Sequence, residues 1–137
     1  MSTVSAQVAR QVGERARFRC EYCHTPQVIT GQTFHVEHIL PKAHGGQSNL
    51  DNLCLACPRC NLHKQDLITA VDPRTHRRIR LFNPRQDEWD EHFRWSANIT
   101  RIIGRTAIGR VTVMQLAFNA PTIMFARQMW RLLRLLP

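Results

Sequence analysis

The chain has 137 residues, enough for one domain with a modest core, and 43% of them are hydrophobic, which excludes a disordered polyampholyte. Lys and Arg number 19 against 10 Asp and Glu, a formal charge of +9, and arginine supplies nearly all of it, since Lys42 and Lys64 are the only lysines. Such a balance favours nucleic acid as a partner, because Arg pairs with phosphate through a planar fork and phosphate neutralisation dominates nucleic-acid affinity.

The first seventeen residues carry no long apolar stretch of the secretory kind, and no run approaches the roughly 18 apolar residues of a membrane helix. A soluble, cytoplasmic chain with no membrane partner is expected. Val4, Val8, Val12 and Ala16 recur every four residues and predict an N-terminal helix capped by Thr3 or Ser5. "RFRCEYCHTPQ" then makes a tight turn with two cysteines. Residues 33–40 predict a strand, "PKAHGGQS" a loop turning at Gly45-Gly46, "NLDNLCLAC" a second strand, and "CPRCNLHKQDLI" a turn opening a helix.

Beyond residue 66 the composition shifts. A turn at Asp72-Pro73 leads to a strand through Ile79 and Leu81. Phe93, Trp95, Ala97 and Ile99 alternate as in another strand. Thr106 caps a helix running to Asn119, and a last helix follows Pro121. On that helix Arg127, Arg131 and Arg134 form a basic stripe at helical spacing, and its apolar residues at 123, 124, 129, 130, 132, 133, 135 and 136 suit a core face or pairing with another copy. Residues 1–63 hold 6 basic and 4 acidic side chains, a net +2, and residues 64–137 hold 13 and 6, a net +7, so the C-terminal part carries most of the charge. Trp89, Trp95 and Trp130 are expected in the core, and His24, His76 and His92 on the surface.

Five cysteines occur. Cys20-x2-Cys23 and Cys57-x2-Cys60 are separated by 33 residues. Each pair can grip a metal from a short turn, and two pairs complete a tetrahedron of thiolates, the donor set of a closed structural Zn²⁺ site. Cys54 is left over and is expected to be a small buried hydrophobe.

The cysteine pairs bracket "FHVEHILPKAHGG". A strand with Phe34, Val36, Ile39 and Leu40 as its apolar members also holds His35, Glu37 and His38, and Asn52, Asn61 and His63 follow on the same scaffold. Together, "CEYC", "FHVEHILPKAHGG" and "LDNLCLACPRCNLHK" resemble the HNH endonucleases with a zinc-knuckle frame, over about residues 18–64. The continuation "LFNPRQDEWDEHFRW" with "ITRIIGRTAIGRVTV" resembles the C-terminal extension of a bacterial subgroup. The resemblance implies an α+β fold: a small ββα-metal core of the His-Me finger type with a structural zinc site, here with an N-terminal helix and a C-terminal strand-plus-helix extension. Residues 1–137 then read as one domain, with 18–66 the nuclease core and 67–137 the basic extension.

Carried over by position, the resemblance implies His38 as general base and Asn52 as the residue that orients it. Glu37 becomes a ligand of a catalytic divalent ion, with Asn61 or His63 completing the shell. Imidazole titrates near 6.5 and suits proton abstraction from water at neutral pH. Mg²⁺ needs few protein oxygens, while a histidine ligand brings Mn²⁺, Ni²⁺ or Zn²⁺ into range. Lys42, Arg59 and Lys64 flank these residues as candidate nucleic-acid contacts, and DNA is the expected partner. Two other readings use the same cysteines: a zinc-knuckle module that binds nucleic acid without cutting it, and a zinc domain that binds protein. The Glu37-His38 pair separates the nuclease from both. Nothing in the sequence selects an oligomeric state or a DNA sequence.

Overall fold

The computed structural model describes residues 4–135, which form short helices and three separate two-stranded antiparallel sheets, an α+β arrangement. Helix α1 (Ala6–Arg15) is capped by Ser5, whose Oγ accepts from the Val8 N–H at 3.2 Å. Thr3, the other expected cap, and residue 136 lie outside the described residues. Val12 is fully buried, and Arg15 reaches out to donate to the carbonyls of Leu50 and Leu53 at 2.9 and 2.6 Å, fixing α1 against the start of the second strand. An isolated bridge between Arg19 and Pro26 closes the loop that holds Cys20 and Cys23, and the single turn α2 (Gln27–Thr30) follows.

Strand β1 (His35–His38) pairs with β2 (Leu53–Ala56), with His35 opposite Ala56, Glu37 opposite Cys54 and His38 opposite Leu53. All four residues of β2 are buried, while β1 stays open to solvent along part of its length. Helix α3 (Pro58–Lys64) starts directly after Cys57, as expected, with proline at its first position, where no intrahelical N–H is needed.

In the C-terminal part, β3 (Thr69–Val71) pairs with β4 (Arg78–Arg80), the turn α4 (Trp89–His92) leads into β5 (Phe93–Trp95), and β5 pairs with β6 (Ile102–Gly104). The expected strand through Ala97 and Ile99 ends at Trp95. The chain turns there: Ser96 N–H donates to Arg101 O at 2.8 Å, and Ile99 lies in the left-handed region at φ 60°. Helix α5 (Ala107–Gln115) is capped by Thr106, whose Oγ1 accepts from Gly109 N–H. A Cβ on Gly109 would stand 2.0 Å from the His92 carbonyl oxygen, so only glycine lets α5 approach α4 this closely. Asn119 lies past the helix and grips β6 instead, accepting from Ile102 N–H and donating to Ile102 O, both at 2.8 Å.

The last helix, α6 (Pro121–Leu132), departs most from expectation. Arg127 belongs to no exposed stripe. It is 1% exposed, donates to the carbonyls of Thr100 and Phe118 at 2.9 and 2.7 Å and to Asn119 Oδ1 at 3.2 Å, and lies over the Trp95 ring at 5.3 Å. A planar fork can serve three acceptors converging from different segments, which is why this charge tolerates burial. Phe125, Met129 and Leu132 face outward on the same helix, as does Leu133 directly after it. The core cluster draws on both halves of the chain, from Val12 and Tyr22 through Leu53 to Phe93 and Phe118. His24 and His92 are not simple surface residues either: His24 stacks on Trp89 with ring centres 4.1 Å apart, and buried His92 holds Nδ1 at 2.6 Å from Thr106 Oγ1. Only His76 of the three is exposed as expected. Among the described residues no helix is long and apolar enough to cross a membrane.

Replacing Arg127 by Leu strands two buried carbonyls at roughly 1–3 kcal/mol each. Urea unfolding of Arg127→Leu is expected to show a loss of about 2–5 kcal/mol, and a curve overlying the wild type would reject the anchoring role.

Candidate functional site

The site begins with four thiols. The Sγ atoms of Cys20, Cys23, Cys57 and Cys60 all lie within 4.8 Å of one another, and all four residues are buried. Cys23 and Cys57 approach to 3.7 Å. Zinc–thiolate bonds of about 2.3 Å in a tetrahedron place sulfurs about 3.8 Å apart, a spacing that the Cys23–Cys57 pair matches. Each CxxC turn also aims a backbone amide at its first sulfur, Cys23 N–H at Cys20 Sγ (3.5 Å) and Cys60 N–H at Cys57 Sγ (3.4 Å), which suits an anionic sulfur. Burial drives the Cys20 and Cys60 thiols well above their ordinary range, while hydrogen bonds from Cys20 and the other thiols draw Cys23 well below it. Ionised together at this spacing the four sulfurs would require a cation, and the cluster fits a structural zinc. Cys54 stands apart from them, fully buried, with burial pushing its thiol up to about 12.

Beside this frame β1, the turn at residues 41–43, Asn61 of α3 and the residues just past that helix enclose a cleft of about 510 Å³. His35, Glu37, His38, Lys42, Asn61 and Asp66 are among the residues that line it. His35 and Glu37 are two positions apart on β1 and share one side of the strand, while His38 reaches the cleft at the strand's end, just before Pro41 turns the chain. Burial raises the Glu37 carboxyl above its ordinary value, against the pull of the nearby His35 and Lys64 charges. Burial, and then the Lys42 charge, lower the His38 imidazole.

His38 Nε2 lies 2.8 Å from Ser48 Oγ. Ser48 sits on the loop between the two strands, and Asn52 holds that loop shut. Its Oδ1 accepts from Leu40 N–H at 2.8 Å, and its Nδ2 donates to the carbonyls of Leu40 and Gln47 at 3.0 and 2.9 Å. A Cβ on Gly46 would fall 1.7 Å from Leu40 O and 2.9 Å from Asn52 Nδ2, so the loop can close only over glycine. Asn52 therefore touches no atom of His38 in these bonds; it fixes the loop that carries Ser48 to the imidazole.

Not all of the expected residues meet here. His63 is absent from the cleft lining, and its turn of α3 is held from the other side, where Gln115 Nε2 donates to the His63 carbonyl at 3.0 Å. Arg59 lines a different cavity, with Cys23 and Phe118, and donates to Thr122 Oγ1 at 3.1 Å. Lys64 is 6% exposed, with Nζ donating to Ile39 O at 3.1 Å. Its ammonium braces the end of β1, and the expected phosphate contact gives way to this inward role. Lys42 alone of the three cations lines the cleft. Ser48 is not legible in the sequence as a partner of His38, since the two stand ten residues apart and meet only through the path of the loop; the Gly-Gly turn before it is the one available signal.

The thiol frame, the β-hairpin and α3 together define a ββα-metal core. Residues 20–67 match the family model described as HNH endonuclease. Comparison with curated proteins and with solved structures gave no match.

The purified protein is expected to hold one zinc per chain by elemental analysis. Zinc-finger peptides gain roughly 10–16 kcal/mol from their ion, so stripping it with a strong chelator should collapse the circular dichroism of the folded chain, with recovery on adding Zn²⁺ but not Mg²⁺. A zinc-free protein that keeps its fold would contradict the frame.

Proposed function

We propose that this chain is a metal-dependent DNA endonuclease that hydrolyses phosphodiester bonds in the cleft beside β1. The single observation that supports this most is the convergence of His38, Glu37 and Asn61 on one cleft, with the His38 ring already tethered at Nε2. In the tautomer whose Nε2–H donates to Ser48 Oγ, Nδ1 carries the lone pair that would take a proton from water. The water oxygen then bonds to phosphorus as the bond to the leaving oxygen breaks. Lys42 offers a charge to the phosphate from the rim. Asn52 acts at one remove, by holding the loop on which Ser48 stands.

Glu37 and Asn61 supply oxygen donors suited to Mg²⁺ or Mn²⁺, and a bound divalent ion there would stabilise the leaving oxygen. His35, on Glu37's side of the strand, is the imidazole that would extend the range toward Ni²⁺. His63, outside the cleft lining, is not needed. Residues 1–137 are read as one unit, in which the C-terminal segment supports the nuclease core. A cytoplasmic setting suits thiols kept reduced to hold a metal.

Supercoiled plasmid incubated with the wild type and Mg²⁺ or Mn²⁺ should be nicked or linearised. His38→Ala should slow this by about 10²–10⁴-fold, the usual share of a general base. Glu37→Gln and Asn61→Ala should weaken the response to added metal, and His63→Ala should leave it unchanged. A wild type that cuts neither plasmid nor single-stranded DNA with either ion sinks the proposal, and retained DNA binding in that case would favour the non-cleaving zinc-knuckle module.

A further inference from the structure

The turn between β3 and β4 hides its acid and displays its bases. Asp72 is fully buried at the foot of this turn. Its Oδ1 accepts from Arg74 N–H and from Arg110 Nε, both at 3.2 Å, and its Oδ2 accepts from Thr75 Oγ1 at 2.8 Å and from Arg110 Nη2 at 2.9 Å. Backbone bonds from Asp72 N–H to Arg77 O and from His76 N–H to Asp72 O, both at 2.8 Å, close the turn. The two-stranded arm is thus stiff and is bound to α5 at its base.

Residues 73–78 are all exposed, and they include Arg74, Arg77 and Arg78, with His76, and no acid. Among the described residues none of these cations pairs with a carboxylate. Arg78 donates to Thr69 Oγ1, a neutral partner that leaves its charge intact. Other arginines of the C-terminal segment are engaged by the fold itself: Arg80 by Asp87, Arg110 by Asp72, Arg127 by carbonyls. The tip bears no large apolar side chain to enter a bilayer. A narrow two-stranded ribbon with guanidinium forks matches a nucleic-acid groove and its phosphates.

We infer that the β3–β4 hairpin is a second DNA contact, distinct from the cleft, in which Arg74, Arg77 and Arg78 hold backbone phosphates beyond the bond that is cut. This rests on DNA being the substrate. The test is fluorescence anisotropy of a labelled duplex of about 30 base pairs with the full-length protein, without added divalent ion, between roughly 50 and 200 mM salt. Replacing all three arginines by Ala should make the slope of log affinity against log salt shallower by about 0.9 for each phosphate no longer neutralised, so by roughly 2–3 in total. Replacing them by Lys should keep most of the slope, and thermal unfolding of both variants should match the wild type. An unchanged slope and affinity in the Ala variant overturns the inference, as does a wild type that binds phosphatidylserine vesicles but not duplex. If the wild type cuts plasmid while the Ala variant binds duplex normally, the hairpin assignment alone falls. If the wild type neither binds nor cuts, both readings fall.

Discussion

Everything in the cleft depends on four sulfur atoms being brought to one point. The hairpin β1–β2 has four residues per strand, and a two-stranded sheet of that size has marginal stability by itself. The thiols flank it: Cys20 and Cys23 come before β1, Cys57 directly follows β2 as the cap of α3, and Cys60 lies in the first turn of that helix. Bringing the two pairs together therefore sets where β2 ends, where α3 begins, and the angle at which Asn61 meets β1. Glu21 adds a second brace, its Oε2 accepting from Leu55 N–H at 2.8 Å while its carboxylate pairs with Arg85 from the other half of the chain.

The C-terminal segment is joined to this core at specific atoms rather than by apolar packing alone. Trp89 Nε1 donates to Tyr22 O at 2.8 Å across the first knuckle, and Gln115 holds the carbonyl of His63 on α3. Phe118 is fully buried and lines a small cavity with Cys23 and Cys57. Ion pairs that add little at a surface act here as location devices. The clearest is Asp72, where the Arg110 guanidinium holds the carboxyl well below the usual carboxylate range. Its folded value lies below the unfolded one, so the contribution is complete at neutral pH and disappears as the pH falls below the ordinary carboxylate range.

Much of this is legible in the sequence because its signals are local. CxxC spacing encodes a metal turn, the apolar members Phe34, Val36, Ile39 and Leu40 encode a strand, and Pro58 after Cys57 encodes a helix start. What escapes is set by long-range geometry. Arg127 has the spacing of a solvent-facing stripe, yet three acceptors on the 100–119 segment turn it inward. Lys64 and Arg59 sit one helical turn or less from the site in sequence, but the direction of each side chain depends on what packs against α3. Asn61 and His63 are two residues apart and so project about 200° apart around a helix; only the placement of α3 against β1 shows which of them faces the cleft. The end of the strand at Trp95 is also hidden, because alternation continues in the sequence past the point where the backbone turns.

The closeness of Cys23 and Cys57 has a chemical consequence of its own. At 3.7 Å their sulfurs need less than about 2 Å of travel to reach the about 2.05 Å of a covalent S–S bond. A chain that lost its ion in an oxidising medium would thus have a ready route to a cross-link between its two knuckles, and that cross-link would withdraw two of the four ligands. Metal occupancy and thiol redox state are coupled by this geometry, and refilling an emptied site would first require a reductant.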